Sequence, residues 1–114
     1  MQHDDSIYLG HMLDTARKAV AKLGAKTRAD FDGDEDLRIV LTHWVRIIGE
    51  AASRVSRATQ AAHPGIPWRR ITGMRHRIVH DYMNTDADIL WEVVTRNLPE
   101  LIRLLEPVVP PEAV

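Results

Sequence analysis

The stretch LRIVLTHWVRIIGEAASRVSRATQAA, residues 37–62, decides the fold class because it has the pattern of a long amphipathic helix. Its apolar residues recur every three or four positions, which gives a helix one continuous apolar face. Acidic residues from Asp34 to Asp36 favour a helix N-terminus just before it. We therefore predict one helix that begins near these acids and ends near Ala62. The apolar positions are Leu37, Val40, Leu41, Trp44, Val45, Ile48, Ala52 and Val55.

Three further regions have helical patterns. Apolar spacing predicts a first helix over residues 4–24, and Pro67 suits the first turn of a third helix, WRRITGMRHRIVHDY. A last helical region covers residues 86–106, where Pro99 predicts a kink or two consecutive helices because proline lacks an N–H donor. The acidic stretch KTRADFDGDED, residues 26–36, is predicted to be a loop with room for one short helical turn.

Together these patterns predict an all-α protein, an up-and-down bundle of four to five helices. Its 114 residues fit one domain, residues 1–114, with a frayed tail from about residue 107. The composition is 45% hydrophobic and 27% charged, which is typical of globular proteins. The absence of cysteine excludes disulfides and thiolate chemistry. With no secretory pattern and no apolar run long enough for a membrane span, we expect a cytoplasmic protein.

Positive charge is concentrated in the middle of the chain although the formal net charge is only −1. Between Arg46 and Arg77 the sequence has seven arginines and a single acid, Glu50. Such a region can form a phosphate-binding face, or it can be a solvated helix surface. The arginines are Arg46, Arg54, Arg57, Arg69, Arg70, Arg75 and Arg77.

The segment RHRIVHDY, residues 75–82, is the candidate active site. On one ideal helix Arg75 and Tyr82 share a face, as do His76 and His80, whereas Arg75 and His80 diverge by about 140°. Arg75 and His80 can therefore act together only if the helix distorts or a second copy supplies a partner. This geometry predicts a homodimer with a composite cleft.

Arginine beside histidine suits RNA cleavage by the neighbouring 2′-hydroxyl. That reaction needs a base, an acid and positive charge on the phosphate, and it needs no metal. His80 is the best base or acid by intrinsic pKa, and Arg75 is the best phosphate clamp because guanidinium binds two phosphate oxygens. The sequence leaves the direction of each proton transfer open.

Less specific interpretations remain open. His80 alone is compatible with a helix cap or the core. A zinc site at His76 and His80 is disfavoured because Asp81 points elsewhere and the HExxH pattern is absent. Glu50 is either a surface acid or a group that orients Arg75 or a histidine. His11 and His43 are isolated on predicted helices and are expected to be structural or solvent-exposed.

The segment IPWRRITGMRHRIVHDY, residues 66–82, resembles the signature of HepT-like proteins, small members of the HEPN superfamily of helical ribonucleases. Arg75, His76, His80 and Tyr82 match the R-x4–6-H-x-Y pattern of the family. The stretches IIGEAASRVS, residues 47–56, and DILWEVVTRNLPELI, residues 88–102, are similar as well. The sequence departs from the family pattern at His76, where relatives often have Asn.

The resemblance implies a toxin of a toxin–antitoxin pair, a metal-independent endoribonuclease that acts on tRNA or mRNA as a homodimer. It implies that Arg75 and His80 are catalytic, and His76 is expected to assist them. The implied antitoxin is a minimal nucleotidyltransferase of the MntA type, which transfers AMP to Tyr82. An AMP group there would place negative charge beside the cleft and repel RNA phosphates.

Two other classes of function are weighed against the ribonuclease. One is a non-catalytic helical module whose basic middle docks on a nucleotidyltransferase. The other is a small metal-binding bundle, which would contain stoichiometric zinc. Toxicity that is lost in His80→Ala would favour the enzyme over both.

Overall fold

The computed structural model describes residues 3–78 and 86–111, without the side chains of His3 and Arg75. Within these residues the chain forms helices and no strand, so the all-α prediction is confirmed. The α-helices are α1 (His3–Leu23), α2 (Arg28–Asp32), α3 (Glu35–Arg54), α4 (Arg57–Ala62), α5 (Trp68–Ile78), α6 (Ala87–Glu92) and α7 (Leu98–Leu105), with a π turn (Val93–Asn97) between the last two.

The prediction of one continuous helix to Ala62 is wrong, because α3 ends at Arg54 and a separate helix, α4, begins at Arg57. Val55 is extended, with φ −68° and ψ 134°, and the Ser56 side chain caps α4 by accepting from the Thr59 amide at 3.3 Å. A capping serine satisfies a helix N–H that would otherwise lack a partner. The chain therefore turns at Val55 with its polar backbone groups satisfied.

Asp5, on the first turn of α1, holds this turn in place. Its carboxylate accepts hydrogen bonds from the Ser56 amide at 2.8 Å, from the Ser56 hydroxyl at 2.6 Å and from the Thr59 hydroxyl at 2.6 Å. Asp5 is only 2% exposed, and burial alone would raise its pKa, but the hydrogen bonds from Ser56 and Thr59 outweigh burial and lower the pKa. The start of α1 is thereby fastened to the end of α3.

The long helices pack antiparallel around one apolar core. The Asp5–Ser56 contact joins the beginning of α1 to the end of α3. Near the end of α3, the Gln60 side chain donates to the Val55 carbonyl oxygen at 3.0 Å, and Trp68 at the start of α5 donates to the Gln60 carbonyl oxygen at 3.1 Å. Thus α5 runs back along α3. Fully buried core side chains include Leu9, Met12, Leu41, Val45, Ile48, Ile78, Leu90, Leu98 and Leu105.

The acidic loop contains the short helix α2, as predicted, and attaches it to α6. Phe31 is fully buried and meets Trp91 edge to face, with ring centroids 5.2 Å apart. Arg28 lies over both rings and binds Asp32 at 2.8 Å and Asp88 at 2.5 Å. This region therefore combines exposed ion pairs with an aromatic contact in which Phe31 is buried and Trp91 is partly buried.

Pro99 is accommodated by the π turn that precedes it. In this turn the Leu98 amide donates to the Val93 carbonyl oxygen, five residues earlier, so the helix widens just where proline offers no donor. The structure thus gives consecutive helical segments around Pro99. None of the helices in the described part of the chain is both long and apolar enough to cross a membrane.

Candidate active site on helix α5

Helix α5 carries the first part of the candidate motif. Arg75, His76 and Arg77 lie in its last two turns, where the side chains of His76 and Arg77 are exposed and Ile78 is buried. His80, Asp81 and Tyr82 lie outside the described residues, so their placement stays a prediction. The described part of the motif thus presents an imidazole and a guanidinium to solvent from a helix whose opposite side is in the core.

The start of α5 is held by side-chain and backbone hydrogen bonds. The Trp68 indole N–H is shared between the carbonyl oxygens of Gln60 at 3.1 Å and His63 at 3.0 Å. The Ile71 amide donates to the Pro67 carbonyl oxygen at 3.0 Å, so Pro67 begins the first turn as the sequence predicts. With Ile71 and Met74 buried, the helix has a fixed position before the motif begins.

Gly49 sets how closely α5 approaches α3. A Cβ at this position would lie 3.1 Å from the Ile71 carbonyl oxygen and 3.7 Å from the Thr72 carbonyl oxygen. Both neighbours are backbone atoms, which cannot swing aside as a side chain can. The absence of a side chain at Gly49 therefore allows the motif helix to pack directly against α3.

A backbone hydrogen bond joins the two described residues on either side of the segment that contains His80 and Tyr82. The Asp86 amide donates a hydrogen bond to the Ile78 carbonyl oxygen, so the residues on either side of this segment are in contact. Asp86 also caps α6, since its carboxylate accepts from the Ile89 amide at 3.0 Å. Arg28 holds Asp88, two residues further on. The beginning of α6 is thus attached to both α5 and α2.

Glu50 follows Gly49 on α3 and forms an ion pair with Arg54, with one carboxylate oxygen 3.2 Å from Nε and 3.1 Å from the nearer terminal nitrogen. Glu50 foremost, and then the Tyr8 hydroxyl, raise the pKa of the Arg54 guanidinium. The sequence allowed Glu50 to be either a surface acid or a group that orients another side chain. In the structure it is a partly exposed acid with an arginine partner on its own helix. A role in orienting Arg75 or a histidine stays a prediction.

A groove between α1 and α3, which the sequence reading did not find, brings several polar side chains together. It has a volume of about 460 Å³ and is lined by Tyr8, His11, His43, Arg46, Ile47, Glu50, Ala51 and Arg54. His11 and His43 are exposed, as expected, but they are not isolated, because both line this one groove. The signal was present as a stripe at three- and four-residue spacing on the polar side of α3.

The arginine-rich middle of the chain is divided between two surfaces. Arg46 and Arg54 line the groove on α3, whereas Arg70 and Arg77 line a smaller cavity of about 60 Å³ between α5 and α7. That second cavity also contains Glu100, which pairs with Arg103. Four of the seven arginines of this region therefore line two different cavities.

No cluster of three or more histidine, aspartate or glutamate side chains placed to bind a metal ion occurs in the described part of the chain. The pair His76 and His80 is not covered by this finding, because His80 lies outside it.

Comparison with known proteins identifies the class. The profile of the family described as "Ribonuclease HepT-like" matches residues 12–108, a range that includes the whole motif segment. The "Putative RNase" of Caldanaerobacter subterraneus subsp. tengcongensis is 30% identical over 94 residues, which cover 82% of this chain and 84% of that protein.

Two archaeal proteins are similar as well. The "Probable ribonuclease HepT" of Thermococcus cleftensis is 33% identical over 72 residues, covering 63% of this chain and 66% of its own length. A "Putative RNase" of Methanocaldococcus jannaschii is 23% identical over 105 residues, covering 92% and 96%. No solved structure gives a significant match.

The all-helical fold and the helix that carries the motif thus define a protein of the HEPN class. The chain is a member of the HepT-like ribonuclease family, as the sequence resemblance predicts.

Proposed function

We propose that this protein is a metal-independent endoribonuclease and the toxin of a toxin–antitoxin pair. The observation that carries the proposal is that the family match extends across the whole Arg75–Tyr82 segment. The structure adds that Arg75 and His76 lie on a helix fixed to α3 at Gly49. Catalysis by positioned charges requires such fixed elements, because a loosely held group loses much of its effect.

The proposed reaction is an internal transfer at phosphorus. The RNA 2′-oxygen attacks the adjacent phosphorus, the bond from phosphorus to the 5′-oxygen breaks, and the products are a 2′,3′-cyclic phosphate and a free 5′-hydroxyl. One proton leaves the 2′-hydroxyl and one is delivered to the departing 5′-oxygen. His80 performs one of these transfers, and Arg75 neutralises the charge that grows on the phosphate oxygens.

A second copy of the chain completes the site in this proposal. The reaction needs a base and an acid, and an ideal helix places His80 away from Arg75. A homodimer would bring two such segments to one cleft and supply both proton-transfer groups. Exposed His76 is available to bind the phosphate or to assist proton transfer.

Control by a nucleotidyltransferase antitoxin is the second part of the proposal. The Tyr82 phenolic oxygen would attack the α-phosphorus of ATP, AMP would become attached to the tyrosine, and pyrophosphate would leave. The added phosphate would repel the RNA backbone, and the adenosine would obstruct the cleft.

The decisive experiment uses protein shown by intact mass to be unmodified. It is incubated with total tRNA in EDTA beside Arg75→Ala, His80→Ala and the control Arg96→Ala, whose arginine is exposed on the π turn. We expect the wild type and Arg96→Ala to cleave tRNA and the other two variants to be inactive. The absence of cleavage by an unmodified wild-type dimer would refute the proposal and favour a non-catalytic module that binds a nucleotidyltransferase.

The modification is tested separately with a purified MntA-type nucleotidyltransferase and ATP. We expect the mass to rise by one AMP group and cleavage to cease, whereas Tyr82→Phe should stay unmodified and active. AMP transfer to Tyr82→Phe would show that Tyr82 is not the acceptor.

A further inference from the structure

We infer that the groove between α1 and α3 binds the RNA strand beyond the cleavage site, with a base against Tyr8 and His11 and a phosphate at Arg46. This inference rests on the proposed ribonuclease function and extends its substrate site to a surface that neither the motif nor the sequence pattern assigned. It concerns single-stranded RNA, because a shallow groove between two helices can receive an unpaired base.

The shape and lining of the groove suit a nucleotide. Ile47 and Ala51 contribute apolar surface, and the rings of Tyr8 and His11 meet edge to face with centroids 6.5 Å apart. Aromatic side chains that are partly open to solvent provide the surface on which unpaired bases stack. A volume of about 460 Å³ is sufficient for one nucleotide but not for a folded protein element.

The charge of the groove suits a phosphate. Two arginines, Arg46 and Arg54, line it against one carboxylate, Glu50, and that carboxylate is paired with Arg54. Arg46 is exposed and forms no ion pair with any carboxylate of the described residues. Its guanidinium is therefore available for bidentate binding of phosphate oxygens.

The position of Arg46 connects the groove with the candidate active site. Helices α3 and α5 run antiparallel and touch where Gly49 meets Ile71 and Thr72. Arg46 precedes Gly49 by three residues and Arg75 follows Thr72 by three, so both positions lie about 5 Å along the helices from that contact, on the same side of it. A strand bound at Arg75 needs to cross only α3 to reach the groove.

Binding is measured with a labelled 2′-O-methyl oligoribonucleotide of about ten nucleotides, which keeps the shape of RNA but cannot be cleaved through its 2′-oxygen. We expect Arg46→Glu and Tyr8→Ala each to weaken binding by roughly tenfold. Arg46→Ala should reduce the slope of log affinity against log salt by about 1. The matched charge reversal Arg96→Glu, on the exposed π turn, should bind like the wild type.

Cleavage assays separate the groove from the catalytic centre. We expect kcat/KM for tRNA to fall in Arg46→Glu while cleavage of a dinucleotide, too short to reach the groove, stays unchanged. Equal binding by wild type, Arg46→Glu and Tyr8→Ala, in protein that cleaves tRNA, would overturn the inference and leave the ribonuclease proposal intact. Binding that depends on Arg46 and Tyr8, in protein that cleaves no tRNA, would support the inference and overturn the ribonuclease proposal.

Oligomeric state provides a further test. Light scattering is applied to Arg46→Glu and Tyr8→Ala at the concentrations of the binding assay. Unchanged mass together with weakened binding would support the inference. If both variants shift a wild-type dimer to monomers, the groove is an interface between copies of the chain, and the inference is wrong.

Discussion

Gly49 of α3 lies so close to Ile71 of α5 that a Cβ at position 49 would be 3.1 Å from the Ile71 carbonyl oxygen. This single contact sets the distance between α3 and the helix that carries the motif. Any side chain at position 49 must push the two backbones apart, because neither contact atom belongs to a flexible side chain. Substitution of Gly49 therefore tests directly whether the geometry of the motif depends on the packing of α5 against α3.

We predict that Gly49→Ala lowers the free energy of unfolding by about 1 kcal/mol. Overpacking costs about 1–3 kcal/mol, and the better helix propensity of alanine returns up to about 1 kcal/mol of it. Gly49→Val should cost more, since its branched side chain demands more space. Urea unfolding measures the change, and a tRNA cleavage assay should show activity falling in parallel as α5 is displaced.

Gly73→Ala is the matched control within the motif helix itself. Gly73 lies inside α5, and a Cβ there would meet no atom within 4 Å. We expect this substitution to stabilise the protein by about 0.5–1 kcal/mol, because alanine loses less backbone entropy on folding than glycine. A gain in stability for both variants would mean that α3 and α5 separate easily and that Gly49 does not fix their distance.

The lowered pKa of Asp5 predicts that the protein loses stability in acid. Its pKa is lower in the folded chain than its ordinary value of 3.8, so the folded state binds its proton less readily than the unfolded state does. The stabilisation from Asp5 is therefore complete above the ordinary value. It is lost progressively as the pH falls below that value and through the lower pKa of the folded state.

Asp5→Asn should remove this dependence along with the stability that it represents. We expect a loss of about 2 kcal/mol at pH 7, because the hydrogen bonds that the buried carboxylate accepts are charge-assisted. The difference between variant and wild type should shrink at acid pH. Urea unfolding across the pH range measures both effects, with exposed Asp4→Asn as the control. A difference that stays constant down to pH 2 would show that Asp5 does not titrate with unfolding.

The break between α3 and α4 shows why the sequence predicted the fold class better than the helix bounds. Helical periodicity is local, and between Val55 and Ala62 the sequence has no glycine or proline that would interrupt a helix. The turn at Val55 depends on Asp5, which is 51 positions away from Ser56 in the sequence. A tertiary hydrogen bond of this kind leaves no mark in the local pattern, whereas the apolar stripes that build α1, α3 and α5 do.

The candidate site also has one part that the sequence predicts and one part that it does not. Arg75 and His76 could be selected from the sequence because the motif is contiguous. The groove could not, because Tyr8 and His11 come from α1 and meet His43 and Arg46 only after the two helices pack. Each of the two helices carries its groove residues at helical spacing on a polar face, but such spacing in one helix is typical of any solvated helix.

Two buried threonines should respond in opposite ways to the same substitution. The Thr42 hydroxyl has no hydrogen-bond partner within the described residues, whereas the Thr59 hydroxyl donates to Asp5 at 2.6 Å. We predict that Thr42→Val stabilises the protein by about 1 kcal/mol and that Thr59→Val destabilises it by about 1.5–3 kcal/mol. Thermal or urea unfolding measures both changes. Destabilisation of similar size at the two positions would imply that Thr42 has a partner after all.

His76 and His80 should differ sharply in how well they tolerate asparagine. The family pattern that the sequence resembles often has Asn at the position of His76, so we expect that an amide that only binds phosphate can replace its imidazole. We predict that His76→Asn retains tRNA cleavage within a few-fold of the wild type, whereas His80→Asn loses roughly 10²–10⁴-fold, the usual contribution of a general acid or base. Single-turnover cleavage in EDTA measures both variants. Equal, large losses would mean that His76 also transfers a proton in the reaction, and an active His80→Asn would remove His80 from the proposed mechanism.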